Sequence, residues 1–170
     1  HSSSSERTHA IEHLEYVADN ALVLYDRGYP ALWFMQAHLE RGINFCIRCP
    51  WNFYNETRDF YLGSQRGAIV TLTPKGDAKK KCKTQGVSST PFSVRLIKVD
   101  LPGGEKEILI TSVLDKKLIS HHSFKGLYHE RWFVEEAYKR LKSRLEVENF
   151  SGKSVLAVKQ DFYDKMMTYN

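Results

Sequence analysis

Ala21–Arg48 reads ALVLYDRGYPALWFMQAHLERGINFCIR, and this stretch decides the fold. Ala21–Tyr25 is continuously apolar and rich in β-forming residues, the pattern of a strand buried in a parallel or mixed sheet. It stops abruptly at Asp26-Arg27-Gly28-Tyr29. Pro30 suits the first turn of a helix, which Leu32, Trp33, Met35, Ala37 and Leu39 carry to an end near Gly42. A second buried strand, Ile43–Arg48, follows. Strand, short loop, helix and strand form a βαβ unit, right-handed with parallel strands. Asp26 then sits at the carboxyl end of the first strand, where open α/β sheets collect their chemistry. Position alone leaves Asp26 equally readable as a helix cap or turn former.

Outward from this unit, Ser5-Glu6-Arg7 opens a helical pattern through Ile11, Leu14 and Val17, with a serine suited to capping. From about Pro50 the pattern changes. Ala68–Thr73, Pro91–Val99 and Lys106–Leu114 read as strands, the last two joined by the hairpin chemistry of Asp100-Leu101-Pro102-Gly103-Gly104-Glu105. Helical patterns return over Phe124–Leu145 and Lys153–Met167. The chain divides by pattern into residues 1–49, 50–119 and 120–170. Its first residues, HSSSSERTHA, carry no initiator Met and no basic-then-apolar signal. The last, DFYDKMMTYN, fall inside a helical pattern, so the expectation is a fragment of a longer protein.

At 170 residues, with 42% hydrophobic and 26% charged content, the chain is long enough for one domain with a real core. No apolar run approaches the ~18 residues of a membrane span. The net charge of +5 is compatible with nucleic acid without demanding it. The one dense basic run, Lys75–Lys83 (KGDAKKKCK), reads as a solvated mobile loop rather than a DNA contact. Cys46 and Cys49 have zinc-like spacing, but a structural zinc site needs four ligands. Cys82 and scattered histidines are poor completions, since His121 and His122 are adjacent and diverge. Cys46 within INFCIR reads as a small buried strand residue.

Tyr128–Lys142, YHERWFVEEAYKRLK, carries the chemistry. At ~100° per residue, Tyr128, Arg131, Glu135 and Lys142 fall within an arc of roughly 60° on one helix face. That face would set a metal-capable carboxylate among two cations and a phenol, which suits a phosphodiester. Taken alone, a solvated amphipathic helix accounts for it as well. The spacing Y-x2-R-x3-E-x6-K, however, resembles the YREK signature of insertion-sequence transposases with a DDE active site, the insertion-sequence-four family. The loop LYDRGYPA resembles the family's second catalytic aspartate, and residues 50–119 match its β-rich insertion in place and character.

The resemblance implies an RNase H-like α/β mixed sheet flanked by helices, partial because its N-terminal strands are missing, with an antiparallel β-rich insertion. Asp26 and Glu135 would be two catalytic and metal-binding carboxylates of three, holding Mg²⁺ or Mn²⁺, two ions in the complete enzyme. Glu136, the rival to Glu135, projects about 100° away. Tyr128, Arg131 and Lys142 would grip phosphates of double-stranded DNA at transposon ends and target. Trp132 would insert or stack at a distorted DNA end, with core packing the preferred alternative. The family's first catalytic aspartate finds no strand-borne candidate, for Asp19 sits in a helix-to-strand turn. The expectation is therefore a bacterial, cytoplasmic DNA transposase fragment, homodimeric on DNA, with no membrane partner, and inactive alone. A related metal-dependent nuclease and a noncatalytic DNA-binding module are the alternatives.

Overall fold

The computed structural model describes residues 6–101, 104–130, 139, 152 and 154–168, and the chain divides into two compact units, residues 1–125 and 126–170. In the first unit, α1 (Glu6–Glu12) runs into a 3-10 turn (His13–Tyr16), and then β1 (Leu22–Tyr25), α2 (Leu32–Glu40) and β2 (Asn44–Cys49) follow. Next come α3 (Asn55–Leu62), β3 (Gly67–Leu72), α4 (Gly76–Thr84), β4 (Phe92–Asp100) and β5 (Lys106–Thr111). Residues 121–130 form α5, which crosses into the second unit, and α6 spans Val155–Thr168 in that unit.

The five strands make one mixed sheet in the order β1-β2-β5-β4-β3. β1 and β2 pair in parallel, as the βαβ reading requires, with Leu22 opposite Asn44 and Tyr25 opposite Ile47. Every other pairing is antiparallel. This mixed α/β architecture, a sheet flanked by helices, is consistent with the RNase H-like fold expected from the sequence. The three later strands extend the sheet that begins with β1 and β2, because β5 takes the free edge of β2, with Cys49 opposite Ile108.

Alternation along the strands assigns the two faces. Tyr25, Phe45, Ile47, Cys49, Val94, Leu96, Ile108 and Ile110 enter the main core with α2, Phe60 of α3 and Cys82 of α4. α2 is apolar nearly all round, with Phe34 and Met35 fully buried, because it lies against β2 and also packs on α1 and α4. The opposite face carries Cys46, Leu109, Thr111 and Arg95, all buried. Buried Arg95 donates from Nη1 to the Ile119 carbonyl at 2.7 Å and lies 5.3 Å from the Phe124 ring centroid, tying β4 to the start of α5. Lys98, buried on the core side, donates to the Tyr61 and Gly63 carbonyls at 3.0 and 2.7 Å. It thereby serves the orphan acceptors at the end of α3.

Two helices fall where the sequence pattern shows none. α3 starts because the Thr57 hydroxyl accepts from the Tyr54 N–H at 2.9 Å and donates to the Tyr54 carbonyl at 2.8 Å. The Lys75–Lys83 run is α4, not a mobile loop. Ala78 and Cys82, one turn apart, dock on the core cluster, and Asp77 favours the first turn. The hairpin turn between β4 and β5 closes through Leu101 N–H to the Glu105 carbonyl at 2.8 Å, with Gly104 at φ +83°.

Candidate active site

The site grows from the end of β1. Tyr25, the last residue of that strand, is locked into the core by its hydroxyl, which donates to His38 Nε2 at 2.8 Å. His38 in turn donates from Nδ1 to the Phe34 carbonyl at 2.8 Å, so these two bonds together set the neutral tautomer. Burial lowers the His38 pKa and raises that of Tyr25, since neither charged form is solvated there. A depressed histidine pKa means the unfolded chain takes up a proton that the folded chain refuses. This contribution to stability is therefore present above the usual value of about 6.5 and is lost as pH falls below it. The urea midpoint is expected to drop between about pH 7.5 and pH 5, less so in His38→Gln. His38→Phe, which removes the His38 acceptor of the buried Tyr25 hydroxyl, is expected to cost roughly 1–3 kcal/mol.

Directly after this anchor the chain turns, with the Tyr29 N–H bonded to the Asp26 carbonyl at 3.1 Å. Arg7 of α1 donates to the Gly28 carbonyl at 2.6 Å and pins the loop from the other side. The Asp26 side chain is 45% exposed and Arg48 Nη1 of β2 stands 3.8 Å from its Oδ1. Arg48 Nη2 pairs with Oε1 of Glu107, at the start of β5. Arg48 is thus held across the β2–β5 pair with its guanidinium turned toward Asp26. Beside it lies a cleft of ≈100 Å³, lined by Arg27, Arg48, Trp51, Glu105, Lys106 and Glu107.

Of the residues singled out from sequence, Asp26 stands at a strand end beside Arg48, its side chain half exposed but its Oδ1 buried. Tyr128 lies on α5 and is buried, 6% exposed. Arg131, Trp132, Glu135 and Lys142 lie outside the described residues. Among the described residues no group of three or more His, Cys, Asp and Glu side chains converges as a metal site. Cys46 and Cys49 are three apart on a strand and so face opposite sides of the sheet. Burial pushes the Cys46 thiol up to about 12 and raises Cys49 as well, away from the thiolate that zinc requires. Sequence reasoning missed Arg48 and Glu107. The available signal was a charge near the end of an otherwise apolar strand, beside the strand that ends in an aspartate.

Residues 2–170 match the family model described as "Transposase DDE domain". The chain belongs to the DDE transposase family. It is also similar to the transposase InsG for insertion sequence element IS4 of Escherichia coli (strain K12), 25% identical over 179 aligned residues. That alignment covers 98% of this chain and 37% of the relative, so the chain spans little more than a third of that transposase's length. No described helix is long and apolar enough to cross a membrane.

Proposed function

We propose that this chain is the part of a DNA transposase catalytic domain that supplies two of three metal-binding carboxylates, Asp26 and Glu135. The protein that carries it would cleave DNA at transposon ends and transfer the freed strand to target DNA, working in a bacterial cytoplasm. The observation that carries the reading is Asp26 itself. It stands half exposed at the carboxyl end of β1, beside Arg48, in a chain that matches the transposase family over nearly its whole length. Residues 50–119 act as an insertion within the RNase H-like core, and 120–170 carry the glutamate helix.

Asp26 offers hard carboxylate oxygens on an accessible side chain, which fits Mg²⁺ or Mn²⁺ and not a thiophilic metal. Glu135 supplies the second carboxylate, and the third comes from polypeptide outside these 170 residues. When bound, a pair of such ions polarises phosphoryl oxygens and makes a water acidic enough to attack. The remaining work falls to the chain. Arg48, oriented by Glu107, balances the Asp26 charge, and the exposed Arg27 and Lys106 that line the same cleft supply cations for a phosphate oxygen. Arg131 and Lys142 would hold the DNA end in register, with Trp132 stacking on it or packing in the core, while Tyr128, buried on α5, would have to be uncovered to join them. The assembled complex contains two copies of the domain on paired DNA ends.

A hydrolytic nuclease of the same fold shares the first chemical step, so the deciding assay is strand transfer. A longer protein containing this domain, given Mg²⁺ and pre-cut element ends, is expected to join their 3′-hydroxyls to a target plasmid. Hydrolysis without joined product would favour the nuclease.

A further inference from the structure

We infer that Lys75, Lys79 and Lys83 form a second DNA-binding surface, a phosphate track on α4 of the β-rich section, apart from the Asp26–Arg48 pair. The inference rests on the reading of the chain as a DNA-handling domain, but its evidence is separate from the carboxylates.

α4 holds a fixed orientation because Ala78 and Cys82 dock on the core. Lys79 and Lys83 are four residues apart, so they stand one above the other on the same helix flank, about 6 Å apart along the axis. Lys75, at the cap position, continues the row, and its carbonyl accepts the Lys79 N–H at 3.4 Å. All three side chains are exposed. Lys80 pairs with Asp77 at 3.2 Å, whereas no described acid pairs with Lys75, Lys79 or Lys83. At its N-terminal end Lys75 lines a cavity of ≈370 Å³ together with Trp51, Tyr54, Glu56 and Arg58, the last paired with Asp59 at 3.3 Å. The three lysines therefore run along one flank of α4.

Such a row costs the isolated domain stability. Like charges at i,i+4 repel, and a lysine at the head of a helix opposes the helix dipole. Asp77 in the first turn offsets part of that cost, but it pairs with Lys80 and not with the row. A duplex offsets the rest, for it presents one negative charge per ~1.7 Å of axis, dense enough to meet cations at this spacing. The row would meet phosphates and not base edges, so it adds affinity and orientation without sequence preference.

The test is fluorescence anisotropy of the 170-residue chain on a duplex of arbitrary sequence across a KCl series. The triple variant Lys75→Gln/Lys79→Gln/Lys83→Gln is compared with Lys81→Gln/Lys116→Gln/Lys117→Gln, which removes equal charge from exposed positions off the row. The row variant is expected to bind roughly 10–100-fold more weakly, with its log–log salt slope shallower by about 2–3, at ~0.9 for each phosphate no longer neutralised. The off-row variant is expected to stay near wild type in binding, and thermal melts should show the row variant folded and melting no lower than wild type, since removing the row relieves its repulsion. Equal weakening in both variants, wild-type binding by the row variant, or dependence on the row for phosphatidylserine vesicles but not for duplex would each overturn the inference. Failure of the carboxylate reading looks different, as an absent metal response with this DNA binding intact.

Discussion

In a longer protein that contains this domain, Asp26→Asn and Glu135→Gln are each expected to cut metal-dependent strand cleavage by roughly 10³-fold or more. Metal ions contribute several kcal/mol of charge stabilisation at phosphorus, and each ~1.4 kcal/mol is a factor of ten in rate. Either variant keeps its side-chain shape and loses only the charge that holds the ion. Asp26 is half exposed, so its replacement leaves the Tyr25–His38–Phe34 anchor intact and the fold unchanged. Duplex binding measured by gel shift should therefore survive in both variants while turnover disappears. Glu136→Gln should cost less than tenfold. Cleavage within tenfold of wild type in Asp26→Asn would remove Asp26 from the site.

The second large effect is an absence of activity in the chain alone. Two carboxylates hold a divalent ion loosely and cannot fix a pair of ions about 4 Å apart, the spacing that in-line displacement at phosphorus uses. The 170-residue chain is accordingly expected to give no nicking of supercoiled plasmid above background in Mg²⁺ or Mn²⁺. Robust nicking that Glu135→Gln abolishes would contradict this, because it would mean that the metal site is complete within the chain.

Much of this architecture was legible from local pattern. The βαβ unit declares itself because α2 and the paired strands are buried on several sides, leaving long apolar runs bounded by Asp26-Arg27-Gly28 and Gly42. The observed bounds, Leu22–Tyr25, Leu32–Glu40 and Asn44–Cys49, lie within about two residues of the reading. α4 was obscured because its charge outweighs its two apolar anchors, Ala78 and Cys82. α3 was obscured because its first turn depends on hydrogen bonds of Thr57 rather than on hydrophobic periodicity. The Asp26–Arg48–Glu107 array was invisible for a different reason. Asp26 meets Arg48 through the pairing of β1 with β2, but Glu107 joins them only through the pairing of β2 with β5, which brings together residues far apart in sequence that no local window contains. Asp26, by contrast, showed itself through its place at the end of an apolar strand.

The central claim is that Asp26 and Glu135 share one metal site, and paramagnetic broadening tests it most directly. Mn²⁺ titrated into the ¹⁵N-labelled chain is expected to broaden the backbone amides around Asp26 and those around Glu135 together, at the same Mn²⁺ concentrations. Asp26→Asn should weaken the broadening at both places. Broadening confined to one of the two carboxylates, or unchanged at Glu135 in the Asp26→Asn chain, would contradict the shared site.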